Sequence, residues 1–392
     1  MLNYRPRIRI PARNARIWEN LMGVSAAAED LSSSRLRKLE NFGSNPGALR
    51  MFTYSPANLA AGSPLVVVLH GCTQTAAGYD HGAGWSTLAD RYGFALLFPE
   101  QQKLNNPNGC FNWFLPGDIK RDRGEALSIR QMVERVVQDQ RIDRDRVFVT
   151  GLSAGGAMTS VMLATYPEVF AGGAIIAGLP YGAANNVQEA FASMYQSPAR
   201  PAREWGDLVR AASGHSGPWP RVSVWHGTGD TTVIPANAVE ILKQWTNVHA
   251  LPDAPSRQEM VNGYPRQVWR DAVGDDVIES YSITNMAHGT PLAVGNREDQ
   301  VGAAGPFLLD VGISSSFHIA KFWGLAERPR TPALKAAAPV ALPAGRPHVE
   351  AAARAEAEAH VAAGPTSTPH ARPDIRGIIT RALKAAGLMK GT

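Results

Sequence analysis

A serine between glycines stands at the junction of two predicted elements. Residues 151–155 read Gly-Leu-Ser-Ala-Gly, directly after the apolar run 146–150 and before the helix-like segment 157–166. Strand, G-x-S-x-G and helix in this order are typical of a sharp turn that holds a serine clear of the backbone. Glycines two positions to either side let the helix and strand pack closely there. The pattern predicts a nucleophilic Ser153, which in turn requires a base and an acid.

An acid and a base follow this serine in a suitable order. Asp230 lies in a loop directly after the predicted strand 222–225, and His288 lies in a loop after a later strand. A serine nucleophile needs a histidine to take its proton and an acid to orient that histidine. We therefore predict His288 as the base and Asp230 as the acid. The alternative for Asp230 is a turn or capping residue before Pro235, and His226 is expected to hydrogen-bond within the Asp230 loop.

A second glycine-containing loop could stabilise negative charge. Residues 70–74 read His-Gly-Cys-Thr-Gln and follow a continuous apolar run. Attack by a serine on an ester creates an oxyanion, which needs two preorganised N–H donors. One donor is expected from the residue after the nucleophile, Ala154, and the other from Cys72. His70 and Gln74 are expected to support this loop.

The two cysteines, Cys72 and Cys110, are either joined in a disulfide or buried as separate thiols. A disulfide would hold the aromatic segment 110–114, Cys-Phe-Asn-Trp-Phe, beside the oxyanion loop. Its aromatic side chains would then form an apolar wall for an acyl or polyester chain. Ordinary core packing is the alternative. The predicted substrate-binding residues are Trp113, Phe114, Asn112 and Gln74.

Elements with different periodicities alternate along the middle of the chain. Continuous apolar runs predict strands buried on both faces, and apolar residues at helical spacing predict the helices between them. This alternation predicts an α/β fold with a mostly parallel, doubly wound sheet. The predicted strands are 49–54, 65–69, 95–98, 146–150, 173–176, 222–225 and one or two within 268–284. The predicted helices are 32–41, 86–92, 126–138, 157–166, 236–247 and 315–323.

Composition narrows the classes of function. The chain has 392 residues and a net charge of +5. Its basic residues are scattered, with the densest cluster at 5–16 and no interleaved aromatics, which argues against nucleic-acid binding. The cysteines have no metal-ligand spacing, and no apolar run is long enough to cross a membrane. We expect neither metal nor organic cofactor.

Four regions are predicted. Residues 1–46 form a basic N-terminal extension, 47–327 a catalytic domain, 328–372 a flexible linker dominated by alanine and proline, and 373–392 a short amphipathic helix. The linker composition cannot bury enough apolar area to become ordered. The helix has a basic face, so it either docks on its own domain or a partner, or binds an apolar surface such as a polymer.

These motifs together resemble the esterase / poly(3-hydroxyalkanoate) depolymerase family of α/β-hydrolases. The resemblance spans about residues 48–325 and includes the segments 70–74, 110–114, 151–156, 226–233 and 286–291. It implies an α/β-hydrolase fold, the roles given above for Ser153, His288 and Asp230, and short-chain hydroxyalkanoate esters as substrates. It also implies an extracellular location.

The chain departs from the secreted members of that family in two respects. They usually carry a signal peptide and a separate substrate-binding domain, and neither is visible here. The missing apolar signal segment leaves the cytoplasm as an alternative location. Three functions follow as hypotheses: hydrolysis of poly- or oligo(3-hydroxybutyrate), removal of acetyl or feruloyl groups from carbohydrate, and binding of polymer granules or surfaces with a vestigial site.

Overall fold

A computed structural model describes residues 34–326. The strands are β1 (Arg37–Leu39), β2 (Arg50–Tyr54), β3 (Leu65–Leu69), β4 (Ala95–Glu100), β5 (Val147–Leu152), β6 (Gly172–Ile176), β7 (Arg221–Gly227), β8 (Arg257–Val261), β9 (Tyr264–Arg270), β10 (Asp276–Ile283), β11 (Thr290–Leu292) and β12 (Leu308–Asp310). The helices are α1 (Ala76–Ala83), α2 (Trp85–Tyr92), α3 (Pro116–Ile119), α4 (Gly124–Gln140), α5 (Ala154–Thr165), α6 (Val187–Gln196), α7 (Ala202–Ser213), α8 (Ala236–Val248) and α9 (Ser315–Phe322).

Within that range one large sheet organises the fold. Its strand order is β1-β2-β4-β3-β5-β6-β7-β10-β9-β8. The run from β4 to β10 is parallel, and β1, β2, β9 and β8 pair antiparallel at the two sides. Parallel strands place their carboxyl ends at one edge, where this architecture forms its sites. The loops after β3, β5, β7 and β10 therefore share an edge, as the sequence predicted.

Both faces of the sheet are covered, which explains the continuous apolar strands. In β3, Leu65, Val67 and Leu69 belong to one buried cluster, while Val66 and Val68 belong to the other. The first cluster also takes the apolar stripes of α4, α5 and α8, and the second those of α1, α2 and α9. Side chains that alternate across a strand thus enter two separate cores. The doubly wound α/β prediction is confirmed.

The helix predicted at 32–41 is wrong. Residues Arg37–Leu39 form β1 and pair antiparallel with β2, so the sheet begins inside the stretch predicted as an N-terminal extension. Arg35 helps to fix this edge through contacts with Ser86 and Asp90. Tertiary pairing overrides the weak local helical preference here. No local pattern in the sequence predicted the helices α1, α3, α6 and α7 or the strands β8, β11 and β12.

Part of the predicted domain organisation lies outside the described residues. This applies to most of the extension 1–46, to the linker 328–372 and to the amphipathic helix 373–392 with its predicted polymer contact. Among residues 34–326, no helix combines the length and apolar character needed to span a membrane.

Candidate active site

Ser153 occupies a strained turn between β5 and α5. Its backbone φ of 57° lies in the left-handed region, which residues other than glycine seldom adopt. Its amide donates to the carbonyl of Ile176 at 2.9 Å, which ties the turn to the neighbouring strand. Strain of this kind persists only where the surroundings impose it, and it concentrates at functional sites. Ser153 therefore has the backbone expected of a serine held for chemistry.

The flanking glycines permit this turn for a steric reason. A Cβ on Gly155 would lie 2.2 Å from the carbonyl oxygen of Leu69, and one on Gly151 would lie 2.5 Å from Gly155. Any larger residue at either position would push the helix away from the strands. The predicted need for side-chain-free neighbours of Ser153 is confirmed.

Asp230 and His288 meet across the edge of the sheet. His288 Nδ1 lies 2.7 Å from Asp230 Oδ2, and both side chains are buried. Because a carboxylate only accepts, Nδ1 carries the proton and Nε2 is left free to act as a base. The other carboxylate oxygen accepts from the amides of Thr232 and Val233 at 2.8 and 2.9 Å. The carboxylate therefore both orients His288 and shapes its own loop.

Electrostatics keep Asp230 charged in spite of its burial. Burial alone would raise its pKa, but the electrostatic interactions and hydrogen bonds with His288 and His226 together hold the pKa below the ordinary aspartate value. His226 Nε2 lies 2.7 Å from the carbonyl of Val233 and 3.5 Å from the carboxylate. His226 thus hydrogen-bonds within the loop, as the sequence predicted.

The loop after β3 presents a free amide beside a disulfide. Cys72 and Cys110 are joined, so the disulfide alternative is confirmed. Among the described residues the Cys72 amide has no acceptor. The Ala154 amide begins α5 and is one of the N-terminal amides that lack an intrahelical acceptor. The helix dipole also favours negative charge at that end. The two predicted oxyanion donors are thus both available to a ligand.

His70 supports the loop after β3 through both nitrogens of its ring. It is buried, its Nδ1 lies 2.7 Å from the carbonyl of Gly71, and its Nε2 accepts from the amide of Gln101 at 3.1 Å. Burial lowers the pKa of His70 to about 4. The ring is therefore neutral and links the loop after β3 to the end of β4. This is the supporting role predicted for His70.

A buried glutamate outside the predicted site residues, Glu125, anchors the aromatic segment. Glu125 accepts from the Asn112 amide at 2.8 Å, from Asn112 Nδ2 at 2.8 Å and from Gln101 Nε2 at 2.5 Å. Burial first, and the charge of Asp118 next, raise the pKa of Glu125 to about 8 while these donors oppose the rise. The sequence did carry a sign that Glu125 is buried: it lies one helical turn before Ile129, on the apolar stripe of α4.

The predicted substrate-binding residues differ in what they offer a ligand. Gln74 Oε1 accepts from the Gly71 amide at 2.8 Å, and both ends of the Asn112 amide are engaged, with Glu125 and Asn106. Trp113 is buried in the core and meets Phe114 edge-on at 5.3 Å between ring centroids. Only Phe114 of these four is both apolar and half-exposed, and substrate contact by the set stays a prediction.

A mostly parallel sheet covered on both faces, with a serine turn, an acid loop and a histidine loop at its carboxyl edge, defines an α/β-hydrolase. Comparison with a solved structure agrees: the acetyl xylan esterase from Aspergillus awamori superposes with a TM-score of 0.63 at 29% identity, over 74% of this chain and 99% of that one. The fold is therefore that of the α/β-hydrolases.

Sequence comparison narrows this class to one family. Residues 24–262 match the esterase PHB depolymerase family. The poly(3-hydroxyalkanoate) depolymerase C of Paucimonas lemoignei is 48% identical over 77% of this chain and 73% of its own. The acetylxylan esterase of Coprinopsis cinerea is 36% identical over 67% of this chain and 71% of its own length. The feruloyl esterase B of Neurospora crassa is 36% identical over 69% of this chain and 94% of its own length. The chain belongs to the esterase PHB depolymerase family and is a carboxylic ester hydrolase.

Proposed function

We propose that this protein hydrolyses short-chain hydroxyalkanoate esters, poly- or oligo(3-hydroxybutyrate) foremost, through Ser153, His288 and Asp230. The observation that carries the proposal is the 2.7 Å contact between His288 Nδ1 and Asp230, because it leaves Nε2 as a base at the edge where Ser153 stands. No step in this chemistry requires a metal or an organic cofactor.

The reaction proceeds in two halves. His288 Nε2 takes the Ser153 proton as the hydroxyl oxygen attacks the ester carbonyl, and the amides of Cys72 and Ala154 stabilise the resulting oxyanion. The carbonyl re-forms as the C–O bond to the alcohol breaks, and His288 gives its proton to that alcohol. Water, deprotonated by His288, then attacks the acyl-enzyme by the same route and releases the acid and free Ser153.

The identity of 48% to a poly(3-hydroxyalkanoate) depolymerase supports a hydroxyalkanoate substrate. The second candidate is a carbohydrate esterase, which the identities of 36% to an acetylxylan esterase and a feruloyl esterase favour. The aromatic segment beside the disulfide suits either a polyester chain or an aromatic acyl group. We place hydroxybutyrate first because the identity is higher over a longer part of the chain.

The disulfide also bears on location. Disulfides persist in oxidising compartments and are rare in the cytosol. The Cys72–Cys110 bridge therefore supports an extracellular enzyme, as the family resemblance implies.

The nucleophile is tested with Ser153→Ala. Removing the attacking oxygen should lower kcat for p-nitrophenyl butyrate and for hydroxybutyrate oligomers by at least about 10³-fold. Ser197→Ala is a matched control, since the Ser197 hydroxyl is buried and has no hydrogen-bond partner in the described part of the chain. A fully active Ser153→Ala would overturn the assignment.

Substrate class is decided by kcat/KM for hydroxybutyrate oligomers, acetylated xylan and feruloylated xylan, measured side by side. Higher values for a xylan ester would replace the first candidate by the second. Granule binding without turnover of any ester would favour the vestigial-site hypothesis.

A further inference from the structure

Phe307 occupies a backbone position that normally belongs to glycine. Gly305–Leu308 form a tight turn in which the Leu308 amide donates to the Gly305 carbonyl at 3.0 Å. Pro306 holds the second position of the turn, and Phe307 holds the third with a φ of 62°. Proline followed by a positive φ is the pattern of a type II turn, which places glycine or asparagine third. A bulky residue there is an outlier, and such outliers concentrate at functional sites.

The turn presents the Phe307 ring to His288. The two rings meet edge-on, with their centroids 6.1 Å apart and an interplanar angle of 77°. The Phe307 carbonyl accepts from the amide of Thr290, two residues after His288, at 2.8 Å. Thr290 is itself held by the buried hydroxyl of Tyr79 at 3.1 Å. The Phe307 turn and the His288 loop are therefore locked together, and half-buried Phe307 keeps apolar surface beside His288.

We propose that Phe307 is a specificity-determining residue, forming the apolar wall of the subsite for the alcohol portion of the ester. This rests on the proposed function, in which His288 gives its proton to the leaving alcohol. Because that alcohol oxygen must lie within hydrogen-bond reach of His288 Nε2, the carbon chain attached to it passes close to whatever packs on the His288 ring. An apolar ring at this place favours longer alkyl or hydroxyalkanoate alcohols over methanol.

The test uses two esters with the same acyl group, methyl butyrate and hexyl butyrate. Phe307→Ala removes the ring, and Phe307→Gly removes the ring and also relieves the backbone. We expect the ratio of kcat/KM for the hexyl over the methyl ester to fall about tenfold in both variants, mainly through KM for the hexyl ester, since a few methylenes in an apolar pocket carry discrimination of this size. Phe307→Tyr keeps the aromatic ring, so it should retain most of the wild-type ratio of kcat/KM for the hexyl over the methyl ester.

Phe322→Ala is the matched control. Phe322 is half-buried and precedes Trp323, which packs on Phe148 and Gly172 at the amino ends of β5 and β6, opposite the site. Its ratio should equal that of the wild type.

An unchanged ratio in Phe307→Ala, or a ratio restored in Phe307→Gly, would overturn the proposal. Because the measured esters are simple butyrates, a wild-type enzyme that turns them over but ignores hydroxybutyrate oligomers would overturn the proposed substrate alone and leave this test decisive.

Discussion

At the scale of the residue, the site depends on protonation states that neighbours impose. Asp230 is charged, since two backbone amides and two histidines contact its carboxylate. His288 must then carry its proton on Nδ1, and His70 must carry its proton on the nitrogen facing Gly71 because the Gln101 amide occupies the other. The candidate base and the support of the oxyanion loop thus have defined tautomers before any substrate binds.

Replacing the candidate acid by its amide tests this directly. Asp230→Asn keeps the shape but can donate to His288 Nδ1, which would place the proton on Nε2 and remove the base. We expect kcat to fall by about 10⁴ at pH 7. Turnover of p-nitrophenyl butyrate measures this, with the exposed Asp275→Asn as control. A loss below tenfold would show that Asp230 does not orient the base.

Among the secondary-structure elements, three segments are held together around the loop 70–74, which carries the proposed oxyanion donor Cys72. The disulfide joins the loop after β3 to the start of the aromatic segment, and His70 joins it to the end of β4. Glu125, in the first turn of α4, accepts one hydrogen bond from the Gln101 side chain and another from the Asn112 backbone amide. The rigidity of the site therefore comes from contacts between loops and a helix rather than from any one loop.

Glu125→Gln tests the helical part of this fastening. Both carboxyl oxygens of Glu125 accept hydrogen bonds from buried N–H groups, whereas glutamine keeps a single accepting oxygen. At least one buried donor therefore loses its partner, at a cost of about 1–3 kcal/mol in the free energy of unfolding. We also expect kcat for p-nitrophenyl butyrate to fall about tenfold, since a small misplacement of the oxyanion loop weakens transition-state binding.

Urea unfolding and kinetics on the folded enzyme separate these two effects of Glu125→Gln. Asp139→Asn on the solvent face of α4 is the control, because its partner Arg135 is also exposed and such pairs contribute little. Stability lost with kcat unchanged would limit Glu125 to a structural role.

At the scale of the whole molecule, buried histidines make stability depend on pH. Burial lowers the pKa of both His70 and His318 to about 4, and for His318 the charge of Lys321 adds to the effect. Between about pH 4 and 6.5 the unfolded chain binds more protons at these positions than the folded one. Above about pH 6.5 these two histidines are neutral in both states and do not reduce the free energy of unfolding. As the pH falls from 6.5 towards 4, protonation of the unfolded chain lowers the free energy of unfolding.

His318→Phe isolates one of these contributions. His318 packs among Trp225, Tyr281 and Phe317, so an aromatic ring fits its surroundings. The difference in unfolding free energy, variant minus wild type, should rise by about 2 kcal/mol between pH 7 and pH 4.5. Urea titrations at both pH values measure it, with the exposed His81→Gln as control. A difference that does not change with pH would contradict the assignment.

The features of this protein that depend on local pattern could be predicted from the amino-acid sequence. Buried parallel strands have continuous apolar runs, and the serine turn cannot form without its glycines, so the fold class and the turn at Ser153 could be predicted directly. The order of Asp230 and His288 after later strands sufficed to place them at the same edge. The two cysteines limited the bridge to one pairing but left open whether it forms.

Contacts between side chains that are distant in sequence became known from the three-dimensional fold. The Glu125 carboxyl group, the Tyr79 hydroxyl and the Phe307 ring contact residues outside their own elements, and no local pattern encodes those contacts. The first strand was likewise mistaken for a helix, because pairing with β2 rather than local propensity fixes its conformation. Long-range packing supplies the energy for such choices, so the candidate catalytic residues could be predicted from the sequence, whereas the contacts that support them and the Phe307 ring beside His288 could not.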